Sequence, residues 1–122
     1  MKSSSGYLCA AYTSISWLDI TDGYVHDSFA RLFALTKNRA VFKPGNPKKA
    51  IYYGHGISFG GSLQTAPMYG QYTGTCWTGE TVVGQYNVGV DEDGNSVLTG
   101  EGSGMGDEKN FTIAEIEVFS IK

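Results

Sequence analysis

The chain has 122 residues, a length that fits one domain with a substantial core. It contains 17 glycines and eight tyrosines, and 17% of its residues are charged, which favours short strands and tight turns over a helical bundle. The net charge of −3 does not indicate binding to nucleic acid, and no apolar run reaches the roughly 18 residues of a membrane-spanning helix.

The first residues carry no pattern of a structured element. Residues 1–5 contain one positive charge with no apolar segment behind it, so a secretory signal peptide is not indicated. We expect residues 1–5 to be a flexible N-terminal tail or an expression remnant, followed by one domain over residues 6–122. The expected location is intracellular and cytoplasmic.

Short apolar and aromatic runs predict strands along the first half of the chain. One run, residues 28–36, is apolar nearly throughout and lacks β-branched residues, so it also fits a short helix; its neighbours favour a strand. Residues 18–27 are predicted to be a polar connection. The remaining predicted strands cover residues 7–12, 40–42, 50–53 and 57–61.

The second half is less regular until its end. Residues 63–78, rich in Gly, Thr and Tyr, are predicted to form a long surface excursion. Strands are predicted over residues 81–90 and 96–99, with a charged turn between them. Residues 110–121 alternate with period two and contain no proline, which predicts a strand. Apolar residues occur on both of its faces, so we expect it to be covered on both sides.

Residues with catalytic or metal-binding chemistry are sparse. Cys9 and Cys76 lack the spacing of a zinc site, and we expect two buried thiols, although a disulfide between them stays open. His26 and His55 have no evident nucleophile partner, and the acidic turn at residues 91–95 breaks the pattern of a calcium-binding loop. We therefore predict no cofactor, no metal site and no catalytic residue.

Two other classes of function remain as alternatives. An enzyme would use Glu115 and Glu117, which share one face of the last predicted strand, if they opened on a cleft. A carbohydrate-binding module or lectin would stack loop aromatics on sugar faces, and low charge fits a neutral ligand. Exposure of the Trp77 side chain would favour the lectin. The aromatic residues concerned are Tyr24, Tyr69, Tyr72 and Trp77.

Several stretches, in their order and spacing, resemble the TLDc domain family. The resemblance runs from about Gly6 to Lys122. It rests on residues 6–17, 27–35, 50–52, 57–61 and 111–119. The signature positions within them are Trp17, Phe59, Gly60, Gly61, Phe111, Ile116 and Phe119.

The resemblance implies a mainly β fold, a two-layer antiparallel β-sandwich with few short helices. It also implies an interaction module without established catalytic machinery. The family is associated with protection from oxidative stress and, in several members, with binding and regulating the vacuolar proton pump (V-ATPase). We therefore expect a protein partner, with proton-pump subunits as the candidates. The residues that we single out for binding are Glu115, Glu117, Tyr72 and Trp77.

Two departures from the family pattern bear on these expectations. Typical members carry a helix and an early strand before the equivalent of Gly6, and their absence here predicts an exposed sheet edge. Such an edge invites pairing with a second copy, so a homodimer is a further expectation. The histidine–aspartate pair that often follows the Phe-Gly-Gly segment is replaced by residues 62–64.

Overall fold

The structure is a computed structural model that describes residues 1–16, 23–37, 39–53, 57–60, 62–68, 71–77, 86–100 and 108–120. The described residues form ten strands and a short 3-10 turn at Pro47–Lys49. The strands are β1 (Lys2–Ser3), β2 (Cys9–Tyr12), β3 (Gly23–Val25), β4 (Arg31–Ala34), β5 (Val41–Phe42), β6 (Ile51–Tyr53), β7 (Ile57–Phe59), β8 (Leu63–Met68), β9 (Gln71–Trp77) and β10 (Glu108–Glu115).

The strands make two antiparallel sheets. The larger sheet has the order β1-β10-β9-β8-β7-β6-β3, and the smaller has the order β2-β4-β5. Buried side chains from both sheets belong to one core cluster, so the two sheets pack face to face. The prediction of a mainly β, two-layer antiparallel sandwich is therefore confirmed.

In the smaller sheet, buried and partly buried side chains alternate along β4. Leu32 and Ala34 are fully buried, whereas Arg31 and Phe33, which alternate with them along β4, are only partly buried. Cys9 is paired with Ala34 and shares its inward face. This period of two confirms the prediction of a strand, not a helix, within residues 28–36.

Tyr86 anchors residues 86–90, which form no strand or helix, in the core. Its hydroxyl donates a hydrogen bond to the carbonyl of Ala50 at 2.6 Å, and its backbone N–H donates to Ser62 Oγ at 2.7 Å. Its ring meets Phe59 edge-on with 6.3 Å between centroids. Burial raises the pKa of the Tyr86 hydroxyl, which stays protonated and able to donate.

The strands predicted over residues 81–90 and 96–99 are wrong within the described residues. Residues 86–90 and 96–99 form no strand; they contain isolated bridge residues, among them the antiparallel pair Val90 and Ser96. Asn87 has a φ of 52°, which interrupts an extended backbone. Residues 81–85 lie outside the described residues.

The predicted charged turn is present and is tied to the N-terminal segment. Asp91 Oδ1 accepts hydrogen bonds from the backbone N–H groups of Asp93 at 2.9 Å and Asn95 at 3.0 Å. Its other oxygen accepts the Tyr7 hydroxyl at 2.7 Å. Gly100, at a φ of +73°, leaves room for the Tyr7 ring, since a Cβ there would lie 2.7 Å from Tyr7 Cδ1.

Two predicted irregular segments are strands instead. Residues 63–78 were expected to be a surface excursion, but β8 and β9 form a hairpin there, with Leu63 opposite Cys76 and Met68 opposite Gln71. Threonine and tyrosine favour strands, and this preference outweighs the glycines. The predicted connection at residues 18–27 contains β3, which pairs with β6 at the edge of the larger sheet.

The N-terminal residues take part in the sheet. Residues 1–5 were expected to be a flexible tail, yet Lys2 and Ser3 form β1 and pair with β10. Ser3 is buried, and its hydroxyl donates to the carbonyl of Thr99 at 2.6 Å. A hydrogen bond between buried groups ties this short strand to the loop beneath it.

The last strand ends earlier than its pattern predicts. β10 stops at Glu115, and residues 116–120 are exposed and have no regular structure. Ile116, Val118 and Phe119 are 43%, 76% and 77% exposed, so the expectation of a strand covered on both sides is wrong. The neighbouring strands explain where it ends, because β1 begins at Lys2, opposite Glu115, and β9 begins at Gln71.

Truncating Leu32 tests the shared core. Leu32→Ala should lower the free energy of unfolding by about 2–5 kcal/mol, because it leaves a cavity between the sheets. Val41→Ala, on the exposed face of the same sheet, is the matched control and should cost less than about 1 kcal/mol. Urea denaturation followed by tryptophan fluorescence measures both. Equal losses would contradict the assignment of the two faces.

Candidate functional site

An open groove of about 1140 Å³ lies between β2 and the C-terminal residues. One side is lined by residues 8–16, which comprise β2 and its continuation, and the other by residues 115–120. Met1, Lys2 and the buried Phe59 also line it. We call this feature the terminal groove.

The terminal groove is bordered by apolar side chains that water reaches. Leu8, Tyr12 and Leu35 are exposed on the side of the smaller sheet, facing the exposed apolar residues that follow β10. Scattered apolar side chains on a surface are ordinary, but a group of them around one concave opening is typical of a binding surface. The groove is therefore the best candidate site in the described part of the chain.

Asp27 fixes the wall of the groove beyond β2. Its carboxylate accepts hydrogen bonds from the Thr13 hydroxyl at 2.6 Å, from the Ser14 backbone and hydroxyl at 2.8 and 2.7 Å, and from the Phe29 N–H at 3.0 Å. Burial alone would raise the pKa of Asp27, but these hydrogen bonds together lower it below its ordinary value. The ionised carboxylate therefore holds residues 13 and 14 in place at neutral pH.

Cys9 lies at the inner side of the groove as a free thiol. Its side chain is 1% exposed, and burial raises the pKa of the thiol to about 11. At neutral pH the thiol is protonated, which makes it a small apolar packing group and a poor nucleophile. The prediction of a buried thiol is confirmed for Cys9; the Cys76 side chain lies outside the described residues.

Glu115 and Glu117 both line the groove, as exposed carboxylates. Within the described residues neither takes part in an ion pair, whereas Lys37 and Glu92 form one at 2.6 Å on the surface. Lys2 is paired with Glu115 through the strand register and also lines the groove. The groove is therefore lined by two carboxylates and by two positive groups, the Lys2 side chain and the Met1 ammonium.

Tyr72 and Trp77 are the other two residues that we single out for binding. Tyr72 and Trp77 lie on β9, in the hairpin with β8, and their side chains are outside the described residues. The lectin alternative predicts that Tyr72 and Trp77 lie on loops, and this placement is wrong because both lie on a strand. The exposure of Trp77, which would favour a lectin, stays untested.

The signature positions are divided between the core and the groove. Phe59 and Phe111 are buried, and Gly60 follows β7 with a φ of 59°. Ile116 and Phe119 are exposed along the groove. Trp17 and Gly61 lie outside the described residues.

The sequence predicts an exposed sheet edge but does not indicate that it is β2, and it does not predict the role of Asp27. Asp27 is 14 residues from Thr13 and 13 residues from Ser14, which it binds in the groove wall. No local sequence pattern connects residues at these separations. The sequence Cys-Ala-Ala-Tyr of β2, with neither a charge nor a proline, is the one signal that could have indicated an unprotected edge.

Comparison with known proteins agrees with the fold. The family model described as TLDc domain matches residues 1–122, and the chain therefore belongs to the TLDc domain family. Neither the curated proteins nor the solved structures contain a match. No helix in the described ranges is long and apolar enough to cross a membrane.

Replacing Asp27 tests its hold on the groove wall. Asp27→Asn should lower the free energy of unfolding by about 1–3 kcal/mol at pH 7, since the amide cannot accept the same hydrogen bonds as the carboxylate. Asp93→Asn, at the exposed turn, is the control and should change it by less than about 0.5 kcal/mol.

The difference in unfolding free energy between wild type and Asp27→Asn should become smaller at low pH. The pKa of Asp27 is lower in the folded chain than in the unfolded one, where it is about 3.9. Its stabilising contribution is therefore complete above that value and is lost as the pH falls through the folded pKa. The unfolding free energies of wild type and Asp27→Asn, measured by urea denaturation, should converge below about pH 4. A constant difference down to pH 2 would contradict the role of the ionised carboxylate.

The burial of Cys9 predicts slow alkylation. In a Cys76→Ser variant, Cys9 should resist iodoacetamide at pH 8 in the folded protein, because its thiol is buried and its pKa is about 11. In denaturant the same thiol should react within minutes, as intact mass spectrometry would show. Equal rates in the folded and unfolded protein would contradict this placement of Cys9.

Proposed function

We propose that this chain is a non-enzymatic protein-interaction domain that contacts its partner through the terminal groove. The observation that carries the proposal is the grouping of exposed apolar side chains around one opening, next to two carboxylates at its rim. Covering these side chains with a partner would remove them from water at about 25 cal/mol per Å² of apolar area. Glu115 and Glu117 would pair with basic groups of the partner and orient it.

Membership of the TLDc family supports a more specific proposal. The partner is a peripheral subunit of the vacuolar proton pump, and the binding contributes to protection from oxidative stress, as the family resemblance implies. A cytoplasmic location goes with this proposal, since the free thiol of Cys9 fits a reducing compartment.

The exposure of Glu115 and Glu117 favours binding over catalysis. A carboxylate that works as a general acid near neutral pH is usually held in a buried, apolar environment. Both glutamates are open to water instead, at the rim of the groove. They are better suited to pairing with basic side chains of a partner.

One observation favours carbohydrate binding as a second candidate. Tyr24 is 51% exposed at the edge strand β3, and its ring lies 4.9 Å from that of Tyr52 between centroids. Lys49 Nζ is 5.1 Å from the Tyr24 centroid. An exposed aromatic ring that is held in place this way offers a face for a sugar.

Affinity capture tests the proposed partner. The domain is coupled to beads through a Lys43→Cys substitution in the Cys76→Ser background, since residue 43 lies on an exposed loop away from the groove lining. Proton-pump subunits should be recovered from an extract of the source and identified by mass spectrometry. Recovery should fall severalfold with the Glu115→Ala/Glu117→Ala double variant and should be unchanged with Asp93→Ala.

Other outcomes decide against the proposal. Glycoproteins that free sugars elute, with no pump subunits, would support the second candidate. Pump subunits recovered equally by wild type and the double variant would show that Glu115 and Glu117 are not part of the contact. Recovery of neither class would contradict the proposed partner.

A further inference from the structure

The edge of the larger sheet at β3 carries a second candidate binding surface. It consists of Tyr24 and Tyr52 together with Lys48 and Lys49 of the 3-10 turn, and we call it the β3 platform. We propose that the β3 platform binds an acidic sugar, with a pyranose ring lying on Tyr24 and its carboxylate or phosphate pairing with the two lysines. This inference rests on the second candidate function and is independent of the terminal groove.

The β3 platform is separate from the terminal groove. β3 and β1 are the two edge strands of the larger sheet, with five strands between them. At about 4.8 Å per strand, β3 lies roughly 30 Å from β1. None of the four platform residues lines the groove. The two surfaces can therefore be tested independently.

The Tyr24 ring is fixed by its neighbours and is still accessible. Tyr24 lies directly opposite Tyr52 in the pairing of β3 with β6, and the two ring centroids are 4.9 Å apart with the planes at 55°. Lys49 Nζ lies over the Tyr24 ring, 5.1 Å from its centroid. With both neighbours in place, 51% of Tyr24 remains exposed. A ring held in this way loses little conformational entropy when a ligand stacks on it.

Hydrogen bonds hold the lysine turn beside β3. The N–H of Asp27, two residues after β3, donates to the carbonyl of Pro47 at 3.0 Å. Asn46 caps the turn, because its side-chain oxygen accepts the N–H of Lys48 at 3.1 Å and its carbonyl accepts the N–H of Lys49 at 2.9 Å. The backbone of both lysines is therefore fixed relative to the Tyr24 ring.

The charged groups of the platform are both positive. β3 and β6 contain no charged residue, and the turn at Pro47–Lys49 contributes its two lysines, neither of which takes part in an ion pair within the described residues. Asp27 is 3% exposed, and hydrogen bonds occupy its carboxylate. Asp22, just before β3 in sequence, lies outside the described residues, so its replacement is part of the test.

An ammonium beside a stacking ring selects a ligand that has both an apolar face and an anion. The C–H face of a pyranose packs on an aromatic ring, and a carboxylate or phosphate at the edge of the same pyranose would lie beside the Lys49 ammonium. A neutral sugar would cover the ring but leave this ammonium without an anionic partner. An acidic peptide would pair with the lysines without supplying the flat face. The acidic sugar uses both groups.

The probe is trigalacturonic acid, and its matched control is the fully methyl-esterified trisaccharide, which has the same ring faces without the charges. Each is titrated into the ¹⁵N-labelled domain, and binding is followed by the backbone amide NMR signals. The acid should shift the signals of residues 24, 48, 49 and 52, and the ester should bind at least about fivefold more weakly. Glucose 6-phosphate, compared with glucose, tests the phosphate form in the same way.

Variants test the stacking and the charge separately. Tyr24→Ala should weaken binding of the acid about tenfold, whereas Tyr24→Phe should retain it within about threefold. Tyr12 is an exposed tyrosine in the terminal groove, so Tyr12→Ala is the matched control and should have no effect. Lys49→Gln should weaken binding about threefold, and Lys43→Gln, at an exposed position outside the platform, should not. Asp22→Asn should not weaken it.

Several results would overturn the proposal. Equal binding of the acid and the ester would exclude selection of an acidic group and leave the second candidate function as a site for neutral sugars. No shift with any sugar would exclude both. Binding of the acid that Tyr24→Ala and Lys49→Gln leave unchanged, or that the peptide Glu-Glu-Glu matches, would also contradict it. None of these results bears on the capture of pump subunits through the terminal groove.

Discussion

The N-terminal residues join the two sheets of the sandwich, and the groove depends on this junction. β1 adds a strand to the larger sheet next to β10, while Met1 pairs with Cys9 in the smaller sheet. The turn between them is closed by the N–H of Ser3, which donates to the carbonyl of Tyr7 at 2.9 Å, and Gly6 takes a φ of 87° there. Nine residues thus fix the separation of the sheets at the end where the groove opens.

The same segment also anchors the loop at residues 91–100. The Ser3 hydroxyl reaches Thr99 and the Tyr7 hydroxyl reaches Asp91, so two side chains hold this loop at its two ends. The hydrogen bond from the Tyr7 hydroxyl to the Asp91 carboxylate raises the pKa of Tyr7 and lowers that of Asp91. These polar contacts fix the ends of a loop whose Val97 and Leu98 are buried in the core, where the sequence pattern predicted a strand.

The sequence predicted the elements whose causes are local and missed those whose causes are distant. The cores of β2, β4, β5, β6 and β7 follow from short apolar runs bounded by turns. The end of β10 does not follow from such a run, because it depends on where β1 and β9 begin, far away in the chain. Glu115 and Glu117 were singled out from an alternation that the structure continues only to Glu115. Asp27 acts on Thr13 and Ser14 through contacts that only the folded chain creates.

The pairing of Met1 with Cys9 has a practical consequence for any chain extended at its start. Lys2 lies opposite Leu8 and Met1 opposite Cys9, so the backbone at this end runs along β2 towards Ala11. A leader or affinity tag fused before Met1 would continue in that direction into the terminal groove. It would occupy the edge in cis, at a high effective concentration, and would compete with anything offered in solution.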